Sequence, residues 1–358
     1  MTALPRIALA GAGLLALAAS GPALARPAIA VQDDRLTWLP LERMPDRAKL
    51  IKASGVRWTR VDVFWRDVAP RRPRRPADPA DPAYRWDRLD ATLTAQRAKG
   101  VHALLTPYRS PRWANGGSGD PRTAPRASAY ADFMVALGRR YSGRYLAGGH
   151  RLPKVTHFEV WNEPNIAFFL RPQWARRSGR MVPVSPQIYA GMLRAVTPRL
   201  RRARPDAVVI AGALAPTNTT NAPASVGVAD FVKGVRRRGV RIMAASQHIY
   251  PGAPPGRSRA LPSEWGLPRI RALWGGVPMY VTETGYTTAP TRFHLYHVSP
   301  GTQARYLPQL LRGLSHPWVR MIVWYNLQDH GLWPAGLRLA DGGPKPAWRV
   351  FRREALRS

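Results

Sequence analysis

Val208-Val209-Ile210-Ala211-Gly212-Ala213-Leu214 has no polar side chain on either face, and Met321-Ile322-Val323-Trp324-Tyr325 comes close to the same pattern. A strand apolar on both faces must be covered on both, which is the situation of a strand in a parallel sheet packed against helices. Outward from these runs, which extend over 207–214 and 319–326, comparable β-branched or apolar stretches fall at 28–32, 56–64, 101–106, 155–161, 241–248 and 278–284. Amphipathic segments separate them at 45–54, 86–99, 127–146, 186–204, 226–238, 263–274 and 301–314, with a last at 346–356. This alternation predicts an α/β protein, a (β/α)8 TIM barrel in preference to a doubly wound sheet. The chain has 358 residues, 45% of them hydrophobic, and one barrel accommodates all of 26–358 as a single domain. The Pro-rich stretch 70–82 reads as a long βα loop, and no repeat at solenoid periods is evident.

Positions 1–25 have a different character. Arg6 precedes an apolar stretch from Ile7 to Ser20, and the segment closes on Ala23-Leu24-Ala25. A basic start, a short apolar core and an A-x-A end predict a secretory signal peptide cut after Ala25, leaving a secreted protein with no membrane partner. The competing reading, an uncleaved anchor, asks for ~18 or more apolar residues in a row. Without cysteine the chain has no disulfide and no lipid-attachment thiol, and a metal site would have to use His and carboxylates. No phosphate-cradling glycine loop follows a strand, so the sequence points to no metal and no nucleotide or organic cofactor.

The formal net charge is +34, mostly from arginine, with runs at Arg71-Arg72-Pro73-Arg74-Arg75, from Arg199 to Arg204 and at Arg236-Arg237-Arg238. Such a balance implies affinity for polyanions. The charge is spread along the whole chain, however, and no basic motif interleaved with aromatics appears, so no specific nucleic-acid partner is expected. Salt-sensitive, nonspecific binding to anionic polymers by a monomer is what remains.

Two strand runs end in glutamate. The first is His157-Phe158-Glu159-Val160-Trp161-Asn162-Glu163-Pro164-Asn165, where Pro164 keeps Glu163 from starting a regular helix. The second is Pro278-Met279-Tyr280-Val281-Thr282-Glu283-Thr284-Gly285-Tyr286, where Gly285 lets the backbone pass close to a neighbour. They fall at the ends of the fourth and seventh strands, and strand ends at one face of a barrel are where reactive groups converge. Two carboxylates across a barrel mouth suit glycosidic cleavage: one protonates the leaving oxygen while the other attacks the anomeric carbon.

With these blocks the mature chain resembles a clan A glycoside hydrolase, nearest to families 39 and 5, from Val31-Gln32-Asp33-Asp34 to Gly343-Pro344-Lys345-Pro346-Ala347-Trp348. The resemblance implies a retaining hydrolase acting on O-glycosidic, β-linked bonds of a polysaccharide or oligosaccharide, with Glu163 as general acid/base and Glu283 as nucleophile. It places Arg60 beside the nucleophile, Asn162 on the sugar 2-hydroxyl and Tyr250, with His248, next to Glu283. It gives Trp324 as the aromatic floor under the reacting sugar. Glu283 beside Arg60 and Tyr250 is then expected to stay ionised, and the less compensated Glu163 to hold its proton. The region Thr106-Pro107-Tyr108-Arg109 departs from the pattern, since Tyr108 stands where many clan members carry histidine. Trp113 is read as a sugar platform or as loop packing, and Asn326, Gln328 and Asp329 as further hydrogen-bonding candidates. The competing class is a non-catalytic polyanion- or carbohydrate-binding barrel. Sugar, linkage and endo or exo action stay open.

Overall fold

Eight parallel strands form a closed barrel in sequential order: β1 (Ala28–Gln32), β2 (Trp58–Phe64), β3 (His102–Tyr108), β4 (His157–Val160), β5 (Val208–Leu214), β6 (Ala244–Ile249), β7 (Met279–Thr284) and β8 (Val319–Trp324). The computed structural model describes residues 26–261, 263–292 and 294–358. The expected signal peptide therefore lies outside the described residues. Each strand pairs with the next, and β8 closes on β1 with Val31 beside Trp324.

Around the barrel run α1 (Met44–Ala53), α2 (Asp87–Ala98), α3 (Ala127–Arg140), α4 (Ser185–Ala203), α5 (Val228–Arg236), α6 (Leu267–Leu273), α7 (Pro300–Leu314) and α8 (Pro346–Ala355). Their inward stripes follow helical spacing: α4 buries Tyr189, Leu193, Val196 and Leu200, while α7 buries Leu307, Leu310, Leu311 and Leu314. At the start of α7 the Ser299 side chain accepts from the Thr302 N–H and Pro300 occupies the first turn, where its missing donor costs nothing. Among the described residues no helix is long and apolar enough to cross a membrane.

Two expectations of extent change. Helix α3 ends at Arg140, short of the expected 146, because residues beyond it form a small hairpin: Leu146–Ala147 pairs with His150–Arg151. Its turn is Gly148-Gly149 with φ of 55° and 77°, a conformation that favours glycine and suits a tight two-residue turn. Helix α6 is shorter than 263–274 and begins at Leu267, next to Pro268 in its first turn. The loop 70–82 has no strand or helix and is tied down by the aromatic residues that follow it. The Tyr84 hydroxyl donates to the Pro76 carbonyl, and Trp86 Nε1 to that of Pro79 at 2.9 Å.

The interior of the barrel is layered. Ala30, Leu104, Ile210, Ala244, Tyr280, Met321 and Val323 fill its lower part as a closed apolar cluster. The alternating positions Ile29, Val31, Leu105, Val209, Ala211, Ile322 and Trp324 face the helices and belong to the larger outer core. Above the apolar plug the inward positions turn polar, with Gln32, Arg60, Thr106, Glu159 and Ser246 all buried. This polar tier supports the site.

Candidate active site

Arg60 on β2 organises the upper barrel and is completely buried. Its Nε donates to Glu159 Oε2 (2.8 Å), one terminal nitrogen donates to Gln32 Oε1 (2.6 Å) and Glu283 Oε1 (2.7 Å), and the other donates to Asn162 Oδ1 (2.6 Å). A planar, permanently charged fork can satisfy several fixed acceptors at once, which a lysine ammonium does not do. Glu159 in turn accepts from Thr106 Oγ1 at 2.9 Å and Ser246 Oγ at 2.6 Å, so every member of the tier is pinned.

Glu163 and Glu283 reach the mouth by different local devices. On β7, Tyr280 faces the barrel interior, and strict alternation would send Glu283 to the helix side. Register shifts on β7 between Val281 and Thr284 against β8, and between Val281 and Glu283 opposite Gln247 and His248 of β6, turn Glu283 inward and set it beside His248. Gly285 follows, and a Cβ there would lie 2.9 Å from the Tyr325 carbonyl, so the glycine is a close-approach residue. On the β4 exit, Trp161 (φ 68°) and Glu163 (φ 40°) both take left-handed backbone, costly for non-glycine residues and held by surrounding bonds. Tyr130 Oη accepts from the Trp161 N–H at 3.1 Å, and the Glu163 N–H donates to the Ala213 carbonyl at 2.9 Å. Asn165 clamps the segment to the loop after β5, accepting from the Ala215 N–H (2.8 Å) and donating to the Ala215 carbonyl (3.1 Å).

The result is a compact cluster. One carboxylate oxygen of Glu163, one of Glu283 and a ring nitrogen of His248 lie within 4.8 Å of one another. His248 Nδ1 is 2.8 Å from Glu163 Oε1 and 3.4 Å from Glu283 Oε2, and the Tyr250 hydroxyl donates to Glu283 Oε2 at 2.6 Å. These three residues with oxygen and nitrogen donors resemble a ligand set for a cation. Arg60, however, holds Glu283 at 2.7 Å, so a divalent ion would sit against a fixed positive charge.

Charge balance here is unequal. Arg60 lies within ion-pair distance of Asp62, Glu159 and Glu283, and Glu163 adds a further carboxylate. One cation cannot neutralise that set, and protons are retained. Burial pushes Asp62 up to about 6 and Glu283 up to about 8, with Arg60 pulling both back and Tyr250 assisting at Glu283. Glu163 is pushed well up by burial and then by the charge of Glu283. Of the two, Glu283 has the stronger stabilisation of its ionised form and loses its proton first, while Glu163 keeps it. Burial, with the field of Arg60, drives His248 well below the ordinary imidazole range, so its ring is neutral.

The structure thus brings Arg60, Asn162, Glu163, His248, Tyr250 and Glu283 together. Tyr108 joins them at one remove, its hydroxyl donating to Asp62 Oδ2 at 2.9 Å. Trp324 is a correction. It is fully buried, its Nε1 donates to the Ala335 carbonyl at 3.0 Å, and its ring tilts against Phe351 of α8 on the helix side. The aromatic that faces the mouth is its neighbour Tyr325, which shares the inward parity of Met321 and Val323 and lies near Tyr250 and Trp333. The Tyr325 hydroxyl donates to Asp34 Oδ2 at 2.5 Å, and Gln32 Nε2 donates to Asp34 Oδ1 at 2.9 Å. Burial raises Asp34, but its bonds from His330, Tyr325 and Gln32 outweigh that and hold it below the usual carboxylate value.

Trp113 packs edge-on against Trp65 and donates Nε1 to the Ala69 carbonyl at 2.8 Å, leaving the rest of its half-buried ring at a surface cleft. Gln328 is engaged by Arg47 (2.8 Å) and Asp329 by Lys345 (2.8 Å) and the Gly336 N–H (2.7 Å), so both have structural partners. Asn326 is buried. Glu159, Asp62, Asp34 and Tyr325 are additions to the residues singled out from sequence. The signal for Asp62 and Glu159 was parity, since charged residues at inward positions of a buried strand need a partner such as Arg60.

No protein-family model matches the sequence, and no curated protein matches it. Solved structures do match its fold. A family 39 glycoside hydrolase from Bacteroides cellulosilyticus superposes with a TM-score of 0.62 at 20% identity over 92% of this chain and 64% of its own. A family 39 β-xylosidase from Caulobacter crescentus gives 0.62 at 19% identity over 93% and 72%. An exo-β-1,4-mannosidase from an Opitutaceae bacterium gives 0.59 at 15% over 92% and 59%. At these identities the likeness establishes the fold, a (β/α)8 barrel of the kind these glycosidases share. The chain spans about two thirds of the first structure's length.

Proposed function

We propose that the chain is a retaining glycoside hydrolase cleaving β-linked O-glycosidic bonds of a polysaccharide or oligosaccharide by double displacement. The observation that carries this reading is the approach of the Glu163 and Glu283 carboxylates, whose oxygens come within 4.8 Å. Retaining glycosidases hold their two carboxyl groups about 5–5.5 Å apart, whereas inverting ones leave about 6.5–9.5 Å for a water. Glu283, once it has lost its proton and with its charge held between Arg60 and Tyr250, attacks the anomeric carbon. Glu163 gives its proton to the departing glycosidic oxygen as that C–O bond breaks and the glycosyl ester forms. Glu163, now a carboxylate, takes a proton from water; the water oxygen attacks the same carbon and Glu283 leaves ionised. Arg60 fixes the Asn162 amide through its oxygen, which leaves the amide nitrogen as the donor for a substrate hydroxyl. The β-xylosidase and β-mannosidase activities named for the structural neighbours favour an equatorial-linked substrate of this kind.

The test is turnover of aryl β-glycosides of xylose, glucose, mannose, galactose, arabinose and glucuronic acid, with Glu163→Ala run with and without azide. Turnover of one glycoside, with azide restoring the variant and yielding the β-glycosyl azide, supports the reading. Retention of activity in Glu283→Gln overturns it. The net charge of +34 favours a second reading, a non-catalytic polyanion-binding barrel. That reading requires salt-dependent heparin binding that persists in Glu163→Gln, and no turnover of any glycoside or oligosaccharide. On sequence grounds the protein is inferred to be secreted, and the exported form is expected to begin at Arg26 by mass spectrometry.

A further inference from the structure

The proposed reaction leaves unused a set of cations on the same face of the barrel. Arg109 follows directly on β3 with left-handed backbone (φ 62°), and its guanidinium lies 3.9 Å above the Phe64 ring and 5.6 Å from that of Tyr108. It is half-buried and makes no ion pair at contact distance among the described residues, while its charge reaches Asp62 and helps to pull that carboxyl down. Three residues further along the same loop begins an open cleft of about 630 Å³ between the loops after β2 and β3. Trp113 forms its wall, and Arg71, Arg72, Arg112 and Arg126 surround it.

Close by in sequence, Arg66 pairs with Asp67, Arg75 with Asp78 and Arg122 with Asp120. Lack of an ion pair among the described residues is shared with Arg74 and Arg85 nearby, and what sets the cleft arginines apart is that they converge on one cleft with no carboxylate in its lining. Arg112 donates only to the Gly117 carbonyl and Arg126 only to that of Trp113, while Arg71 and Arg72 have no ion pair; none of the four meets a carboxylate among the described residues. An unopposed group of guanidinium forks around an indole is suited to a ligand that alternates anionic oxygens with flat C–H faces. A glycan bearing carboxylate or sulfate groups has that chemistry, and a neutral glycan does not use the charge. The geometry also runs the right way, because β3 lies next to β4, which presents Glu163, and β2 lies on the far side of β3.

We infer that the substrate is an anionic glycan, with Arg109 and the Arg71–Arg72–Arg112–Arg126 cleft holding its acidic groups on sugars beyond the one between the two glutamates. The inference rests on the glycosidase reading for its orientation. Binding tests it independently, since a non-hydrolysing barrel would still prefer the acidic ligand.

The experiment measures calorimetric binding to Glu283→Gln protein at 150 mM salt, using hexasaccharides of hyaluronan (carboxylate), chondroitin 4-sulfate (carboxylate and sulfate) and cellulose (neutral). Either acidic hexasaccharide is expected to bind at least about tenfold tighter than the neutral one, the size of effect that one charge-assisted hydrogen bond supplies. Which of the two binds tighter identifies the recognised group. Arg109→Gln and the exposed pair Arg71→Gln/Arg112→Gln should each cut that preference by about tenfold or more. The pair Arg202→Gln/Arg237→Gln removes the same charge at the opposite end of the barrel, where helices α4 and α5 finish, and should change it less than about twofold. Equal affinity for acidic and neutral ligands, or equal loss from the distant pair, overturns the inference. Acidic preference without turnover of any glycoside would instead sink the hydrolase reading and leave the cleft as a binding site for an anionic glycan that is not a substrate.

Discussion

The lower and upper halves of the barrel interior are built from the same strands and solve opposite problems. Below, Leu104, Ile210, Tyr280, Met321 and Val323 exclude water and require nothing of one another beyond shape. Above, one guanidinium and a ring of carboxylates are buried together, and each depends on partners on other strands. The lower tier is therefore forgiving in chemistry and strict in volume, while the upper tier is the reverse. Removing one member of a buried ionic set strands a charge, whereas trimming a packed methylene leaves a hole. The energies are of similar size, but only the first should reach the chemistry.

The largest effect is expected at the mouth itself. Glu283→Gln keeps shape and removes the attacking charge, so kcat on the preferred aryl glycoside should fall on the order of 10⁴-fold or more. Arg60→Met should strand Glu159 and Glu283 and cost about 3–5 kcal/mol of stability in denaturant titration, together with most of the activity. Its counterpart below, Met321→Ala, should cost about 2–5 kcal/mol by the same titration while the folded enzyme keeps its kcat/KM. Equal losses of activity in these two variants would erase the distinction between the tiers.

Tyr250→Phe is the next step down. The rate should be bell-shaped in pH, rising as Glu283 ionises and falling as Glu163 loses its proton. Tyr250 donates to the ionised Glu283, so its loss raises that carboxyl further, moves the acid limb to higher pH and costs about 1.5–3 kcal/mol in kcat/KM. An acid limb that stays in place would remove Tyr250 from that role. Smallest is the pair at the end of β8. Tyr325→Ala should raise KM by about 0.5–1.5 kcal/mol in binding, whereas Trp324→Phe should leave KM unchanged and show only in stability.

Much of this was readable in the chain. The strands β1 to β8 and helices α1 to α8 follow from apolar runs and amphipathic spacing, because a barrel strand covered on both faces leaves a continuous hydrophobic signature. Glu163 and Glu283 stand out as acids at the ends of such runs. Trp324 shows where the reading failed: the alternation of β8 already assigns Ile322 and Trp324 to the helix side and Val323 and Tyr325 to the interior. The motif alone points to Trp324, whereas parity counted from the inward Val323 points to Tyr325. Glu159 carries only the signal of inward parity, since its partner Arg60 lies 99 residues away and the chain alone does not show that the two meet.

Sequence alone determined the order of elements, the (β/α)8 architecture and the identity of the acids at its mouth, because periodicity and strand-end chemistry are local properties. Tertiary structure decided where those acids point. The bulge that turns Glu283 inward exists only in register with β6 and β8, and the left-handed backbone at Trp161 and Glu163 is held by bonds to Tyr130 and Ala213. It also decided which arginines stay unopposed, since whether a guanidinium finds a carboxylate depends on distances across the fold that spacing along a chain does not encode.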